Sequence, residues 1–563
     1  MREYNINDYN IRNLGSFYHS DKTVFRVFGP DHKQLYLVIN NHDYLMHRNG
    51  MNFEIALGGN LEGVKYHYKN EKGICFRDPF SFVSIGDDSI VLDSEKFNKE
   101  RIKLPKCDDR IIYEVSVNDF SVDDSYKGKY KAKFLGLSEE GLTNSNLSIG
   151  LDYLKGLGVT HIQLMPIFDY DLDGAEYNWG YNPLAYNYVK KDYVFDDTNP
   201  YAYINELRES VNELHRNGLR VVLDVVFNHM YDRVATDLDK MLPGRLYRYL
   251  DDGSKASGTM CGNEINSEDP FIEDYIVFMV LRYLRLFDID GIRMDLMSIL
   301  DYETVNLIYD TLKSYKPDFV VYGEGWNMGD KLPVEKRAAI INADKMPEIG
   351  MFNDCFRDVI IKYVCGDDSI NEDVKKVLRA DESYLNYKQS INYVECHDGY
   401  TFFDRLNVYM SNDPDWVKTR RCKLALGLVL LSRGIPFIHS GEEFLRTKEN
   451  HENSYNLDNS INKLDWDLRV KNDNVVKYCK ELIEFRKNHP CFVKKDAEII
   501  FSEGENTLIY QIEDLAVVIN HGSRDIILSD GNSYHVVFNN NGKCDYNNEF
   551  ISIPAYSLLI CRL

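Results

Sequence analysis

Residues 220–229 read Arg-Val-Val-Leu-Asp-Val-Val-Phe-Asn-His, a β-branched run that carries one carboxylate and closes on an amide and an imidazole. Seven further runs share its texture: Ile111-Ile-Tyr-Glu-Val115, Thr160-His-Ile-Gln-Leu-Met165, Ile289-Asp-Gly-Ile-Arg-Met-Asp295, Phe319-Val-Val-Tyr-Gly-Glu324, Ile349-Gly-Met-Phe352, Ile391-Asn-Tyr-Val-Glu395 and Ile435-Pro-Phe-Ile-His439. Amphipathic stretches such as Tyr203 to Asn217 and Phe271 to Phe287 fall between them, and this alternation signals a parallel sheet with crossover helices. Eight such runs in one α/β region predict a closed (β/α)8 barrel over residues 105–485.

The texture changes on both sides of that region. Residues 1–104 alternate short β-rich runs, such as Thr23-Val-Phe-Arg-Val-Phe28 and Gln34-Leu-Tyr-Leu-Val-Ile39, with Gly/Asn/Asp turns, the pattern of a β-sandwich. Residues 486–563 return to β texture, as in Ala516-Val-Val-Ile-Asn520 and Phe550-Ile-Ser-Ile-Pro554, and predict a small closing β-sandwich. The expected chain is therefore a multidomain α/β protein, a barrel flanked by two β domains.

Composition narrows the partners. With 563 residues, 44% hydrophobic and 28% charged, the chain can bury a large core. Its 89 acids against 66 bases give a net charge of −23, which repels nucleic acid and anionic lipid and suits a neutral substrate. No run of 18 apolar residues occurs, so no membrane span is expected, and the polar start MREYNINDYNIRNLG points to a cytoplasmic protein. Eleven cysteines without a CxxC pair or a Cys/His cluster argue against a disulfide framework and a zinc site. Acidic and amide groups are plentiful enough for an oxygen-ligand calcium site, but no loop has a calcium-motif spacing, and no cofactor is required.

In a barrel of this type the chemistry gathers at the C-terminal ends of the strands. Asp224, Asn228 and His229 close the third run, Arg293 and Asp295 the fourth, Glu324 the fifth, and His397 and Asp398 follow the seventh. Each alone is commonly a cap or a satisfied polar residue; their joint convergence on one mouth carries the argument. Two carboxylates flanking a glycosidic bond can serve as nucleophile and proton donor, and a retaining mechanism needs them about 5–5.5 Å apart. Asp295 and Glu324 fit that need. Arg293 shares a strand face with Asp295 and would hold it ionised, while the indole of Trp326 beside Glu324 would raise the acid's pKa. Asp398 suits an oxocarbenium-like ring, with His229 and His397 donating to the sugar.

Four ordered segments, Asp224-Val-Val-Phe-Asn-His229, Gly291-Ile-Arg-Met-Asp295, Val321-Tyr-Gly-Glu-Gly-Trp326 and Val394-Glu-Cys-His-Asp398, resemble the four short regions of the α-amylase superfamily of glycoside hydrolases. The resemblance implies Asp295 as nucleophile, Glu324 as acid/base and Asp398 as transition-state stabiliser. Tyr177-Asn-Trp-Gly-Tyr-Asn-Pro183 looks like the marker of type I pullulanases, which cleave α-1,6 branch linkages. Cys261-Gly-Asn-Glu264, Gly350-Met-Phe-Asn-Asp354 and Gly441-Glu-Glu-Phe-Leu-Arg446 resemble the same subgroup, and the N-terminal sandwich looks like a starch- and glycogen-associated module. The implied partner is a branched α-glucan. Ser116, Asn118, Gly399 and Phe403 depart from the subgroup's usual His, Arg, Asn and Trp, which touches outer sugar contacts and not the triad. An isoamylase-like or α-1,4-active relative, or an inactive glucan-binding protein, are the competing readings.

Read alone, the aromatic turn at 177–183 suits a sugar platform and a buried turn equally, since pyranose faces and protein cores both use flat rings. Its position after the second barrel strand makes it the element that would present a branch point, with Trp179 and above all Tyr181 nearest the chemistry.

Overall fold

Strand runs that are apolar on both faces must be covered on both, and the chain satisfies this by closing a cylinder with helices outside it. In the computed structural model, which describes residues 10–381, 385–504, 506–529, 534–539 and 550–562, eight parallel strands form a closed barrel in sequence order. They are β1 (Ile112–Val115), β2 (His161–Leu164), β3 (Arg220–Val225), β4 (Gly291–Met294), β5 (Val320–Gly323), β6 (Gly350–Phe352), β7 (Ser390–Asn392) and β8 (Ile435–His439). β8 returns to β1, with Phe437 opposite Ile112, so no edge is left open.

Alternation sorts each strand into an inner and an outer set. Ile112, Val222, Val320, Tyr322, Phe352, Ile391, Ile435 and Phe437 plug the barrel as one apolar cluster. On β1, β3 and β5 the inner set turns polar two positions further along: Glu114 follows Ile112, Asp224 follows Val222, and Glu324 follows Tyr322. The apolar plug thus forms the floor of a polar mouth. Gly291 is required where β4 meets β5, because a Cβ there would lie 2.3 Å from Val320 Cγ2 and 2.7 Å from its carbonyl oxygen.

The expected helices are Ala202–Arg216 and Pro270–Phe287. The second starts cleanly because Asp269 accepts from Phe271 N–H and Ile272 N–H, while Pro270 fills a first-turn position that needs no donor.

The N-terminal strands make two antiparallel sheets, one of Gly15–His19, Lys22–Phe28, Asn52–Gly58 and His47–Asn49, the other built on Leu35–Ile39 and Lys65–Asn70. Residues 1–9 of the expected sandwich lie outside the described residues. The segment 77–83 joins this module to the barrel. Arg77 pairs with Asp237 at 2.7 Å, Tyr275 OH donates to Pro79 O at 3.0 Å, and Phe28 stacks on Phe271 at 3.9 Å. After the barrel, Ile499–Gly504, Thr507–Ile512, Leu515–Asn520, Ser557–Arg562 and His535–Asn539 form a five-stranded antiparallel sheet, with a separate pair of Ile526–Leu528 and Ile551–Ile553. It rests on the helix Asp415–Leu431, where Arg420 Nη1 donates to Ala555 O at 3.0 Å.

Candidate active site

Arg293, on the inner face of β4, organises the mouth of the barrel. Its Nη1 donates to Asp224 at 2.9 and 3.0 Å and to Asp295 Oδ1 at 3.1 Å, and its Nη2 donates to Glu324 Oε1. One planar fork therefore ties three carboxylates from the ends of β3, β4 and β5. Asp295 is further fixed by Asn228 Nδ2 at 2.7 Å, and Glu324 Oε2 accepts Leu296 N–H at 2.9 Å. The remaining oxygens face the cleft unequally: side-chain exposure is 12% for Asp295, 5% for Glu324 and 53% for Asp398.

Burial sets the ionisation. Glu324 is pushed up to about 8 because its charged form is stripped of water; Arg293 opposes this while Asp295 and Asp398 reinforce it. Asp224, equally buried, rises to about 6 despite the guanidinium beside it. His397 moves the other way from most buried histidines: burial disfavours its charge, but Asp398 and Glu114 outweigh it and lift the ring to about 9. A protonated carboxylic acid and an adjacent, arginine-paired carboxylate are the two states acetal cleavage requires.

The aromatic turn divides between the two uses that its sequence allows. Tyr177 and Trp179 are buried, with Tyr177 OH bonded to Asp119 Oδ1 at 2.8 Å and Trp179 Nε1 to Asn462 Oδ1 at 3.3 Å. Tyr181 is half-buried and enters the site: its OH donates to Asp224 Oδ2 at 2.7 Å, and its ring stacks on His397 at 5.0 Å and 17°. Gly180, at φ +106°, makes this turn, and a Cβ there would come within 3.0 Å of Pro166.

The other expected contacts fall in different places. His229 has both ring nitrogens engaged, Nε2 on Tyr181 O at 3.0 Å and Nδ1 on Asn228 Oδ1. It lies between the turn and Asn228, the amide that fixes Asp295. Trp326 is half-buried, its indole N–H has no hydrogen-bond partner among the described residues, and it takes no part in the polar contacts of the cluster. Burial is the leading cause of the raised Glu324 pKa, and Arg293 opposes it.

Three participants escaped the sequence reading. Glu114 from β1 and Lys448 from the segment after β8 meet at His397, where Lys448 Nζ donates to His397 O at 2.6 Å, and Gln163 from β2 donates to Glu114 Oε1 at 3.0 Å. Among the described residues, no group of three or more His, Cys, Asp or Glu is arranged to hold a metal.

A (β/α)8 barrel with an arginine-bridged carboxylate pair at its C-terminal mouth defines an α-amylase-type glycoside hydrolase, and residues 146–240 match the family described as alpha amylase, catalytic domain. Within that class the chain belongs to the pullulanase family: it is 34% identical to the pullulanase of Bacillus subtilis (strain 168), over 91% of this chain and 78% of the relative. It superposes with a TM-score of 0.92 on the pullulanase of Paenibacillus barengoltzii in complex with maltohexaose and alpha-cyclodextrin, at 32% identity, covering 99% of this chain and 96% of that one. The pullulanase of Anoxybacillus sp. LM18-11 complexed with maltotetraose gives 0.93 at 33% identity, covering 98% and 88%. The chain is accordingly an α-1,6-glucan debranching hydrolase.

Proposed function

We propose that the chain removes α-1,6 branches from branched maltodextrins and glycogen-derived oligosaccharides by a retaining double displacement. Asp295 attacks the anomeric carbon, Glu324 protonates the departing glycosidic oxygen and then activates water, and Asp398 stabilises the oxocarbenium-like ring. The observation that carries this reading is the single Arg293 fork bonded to both Asp295 and Glu324. Two carboxylates spanned by one guanidinium suit the about 5–5.5 Å of retaining enzymes better than the about 6.5–9.5 Å that leaves room for water. Tyr181 offers its ring to the sugar beside the cleaved bond, and Arg293 and Asp224 hold that ring and the nucleophile in register.

A reducing, intracellular setting is supported by the absence of any disulfide among the ten described cysteines. Incubation with pullulan, glycogen and a β-limit dextrin tests the substrate. Release of maltotriose from pullulan and of short branches from the limit dextrin is expected, whereas panose from pullulan would mean α-1,4 cleavage and reject the assignment.

A further inference from the structure

Glu114 lies at the base of the site and takes no part in the chemistry above. It is 1% exposed, and three donors converge on it: His397 N–H on Oε2 at 2.9 Å, with Gln163 Nε2 at 3.0 Å and His397 Nδ1 at 2.8 Å on Oε1. Behind it, Gln163 Oε1 accepts from Tyr322 OH at 2.7 Å, which fixes the Gln163 amide with its nitrogen toward Glu114. Both carboxylate oxygens are thus used as acceptors, which fixes the carboxylate plane against the His397 ring.

On the other side, His397 Nε2 faces Asp398 Oδ2 at 3.4 Å. Among the described residues, that imidazole is the one cation within ion-pair distance of the Asp398 carboxylate. Asp398 is also the most exposed of the three acids, so its aim depends on the ring beside it. The ring itself has little freedom: Tyr181 stacks on it, Trp179 meets it edge-on at 5.1 Å, and Lys448 grips its carbonyl.

We propose that Glu114 is a positioning residue for catalysis: it orients the His397 ring, and that ring in turn aims the Asp398 carboxylate. With Nδ1–H spent on Glu114, the Nε2–H is left for Asp398 and an adjacent sugar hydroxyl. The inference rests on the reading of Asp398 as transition-state stabiliser.

The titratable groups around His397 are Glu114 from β1, Asp224 from β3, Asp398 from its own loop, Arg293 from β4, Lys448 from the segment after β8, Tyr181 from the aromatic turn and His439 from β8, which burial keeps neutral; Asp398 and Glu114 act on the ring most strongly. The two carboxylates favour its proton, while burial and Arg293 oppose it. Neutralising Glu114 removes one of the two supports, so the ring loses its proton at lower pH.

Glu114→Gln keeps the volume and removes the charge. On pullulan we expect kcat to fall about 10–100-fold with KM within about twofold, the usual range for losing a group that orients an active-site ligand. Followed by NMR, the His397 ring should lose its proton at lower pH in Glu114→Gln than in the wild type, and Glu114→Asp, which restores a carboxylate, should return it. Glu114→Gln and His397→Gln combined should lose little more than the worse single variant, since both act through one ring. An unmoved His397 titration, or losses that multiply, would overturn the inference. If Glu114→Gln does not fold, NMR titration of His397 in the wild-type enzyme decides: protonation persisting above pH ~8 supports the proposal, and a titration near the ordinary ~6.5 rejects it. Asp398→Asn separates the two readings, because full activity in that variant removes the stabiliser role itself. An inactive Asp398→Asn beside a normal Glu114→Gln removes only the present inference.

Discussion

Arg293 holds two chemically identical groups in different surroundings. Asp295 shares its guanidinium and the amide of Asn228, while Glu324, deeper and poorer in water, keeps its proton to about pH 8. The sign is set by burial: a general acid works while protonated, so kcat/KM should decline as pH rises through about 8. Glu324→Gln should lose about 10²–10⁴-fold in kcat. The alkaline limb of its residual activity should retreat toward the range of His397, near about 9. Steady-state hydrolysis of pullulan against pH measures both, and an unshifted limb would assign the proton to another group. The strand-end carboxylates were legible because a period of two brings Arg293 and Asp295 to one face. The bond from Glu114 to His397 was not, since 283 positions separate the partners and no local pattern links them.

The turn at 177–183 behaves as a mounted element. Tyr177 is bonded to Asp119, Trp179 to Asn462 through its indole and to Tyr455 O through its backbone at 3.0 Å, so three other segments hold the loop while Tyr181 faces the cleft. Sequence located the turn and Tyr181. It could not divide the rings into anchors and platform, because that depends on which neighbours close over each. Gly180→Ala should place a Cβ against Pro166 and Tyr170 in a left-handed conformation, a strain of about 1–3 kcal/mol that displaces Tyr181. The expected result is a loss of kcat/KM of about tenfold or more with a small change in Tm. Kinetics at wild-type values would show that the turn does not set the position of Tyr181.

Across the whole molecule, the sandwich and barrel are joined by a buried polar seam as well as by apolar rings. Asp78, fully buried, accepts from Tyr66 OH at 2.7 Å and Phe80 N–H at 2.9 Å, yet burial still raises it to about 6. An acid whose folded pKa lies above its unfolded value stabilises the fold fully below about pH 3.8, and that contribution is lost as pH rises through about 6. Asp78→Asn should therefore gain on the order of 1–3 kcal/mol over wild type at pH 7, with the gain vanishing below pH ~4. Denaturant unfolding at the two pH values checks this, and a variant weaker than wild type at pH 7 would show that the ionised carboxylate is well solvated by its donors. The sequence by itself determined the barrel, its two β flanks and the strand-end acids, because burial on both faces forces long β-branched runs and alternation assigns each residue a side. Only the tertiary structure decided which rings of the turn meet the substrate cleft, that His229 sits between Tyr181 and Asn228, and that Glu114 stands behind His397. Those facts depend on closure of the cylinder, which brings β1 beside β8 and close to the loop after β7.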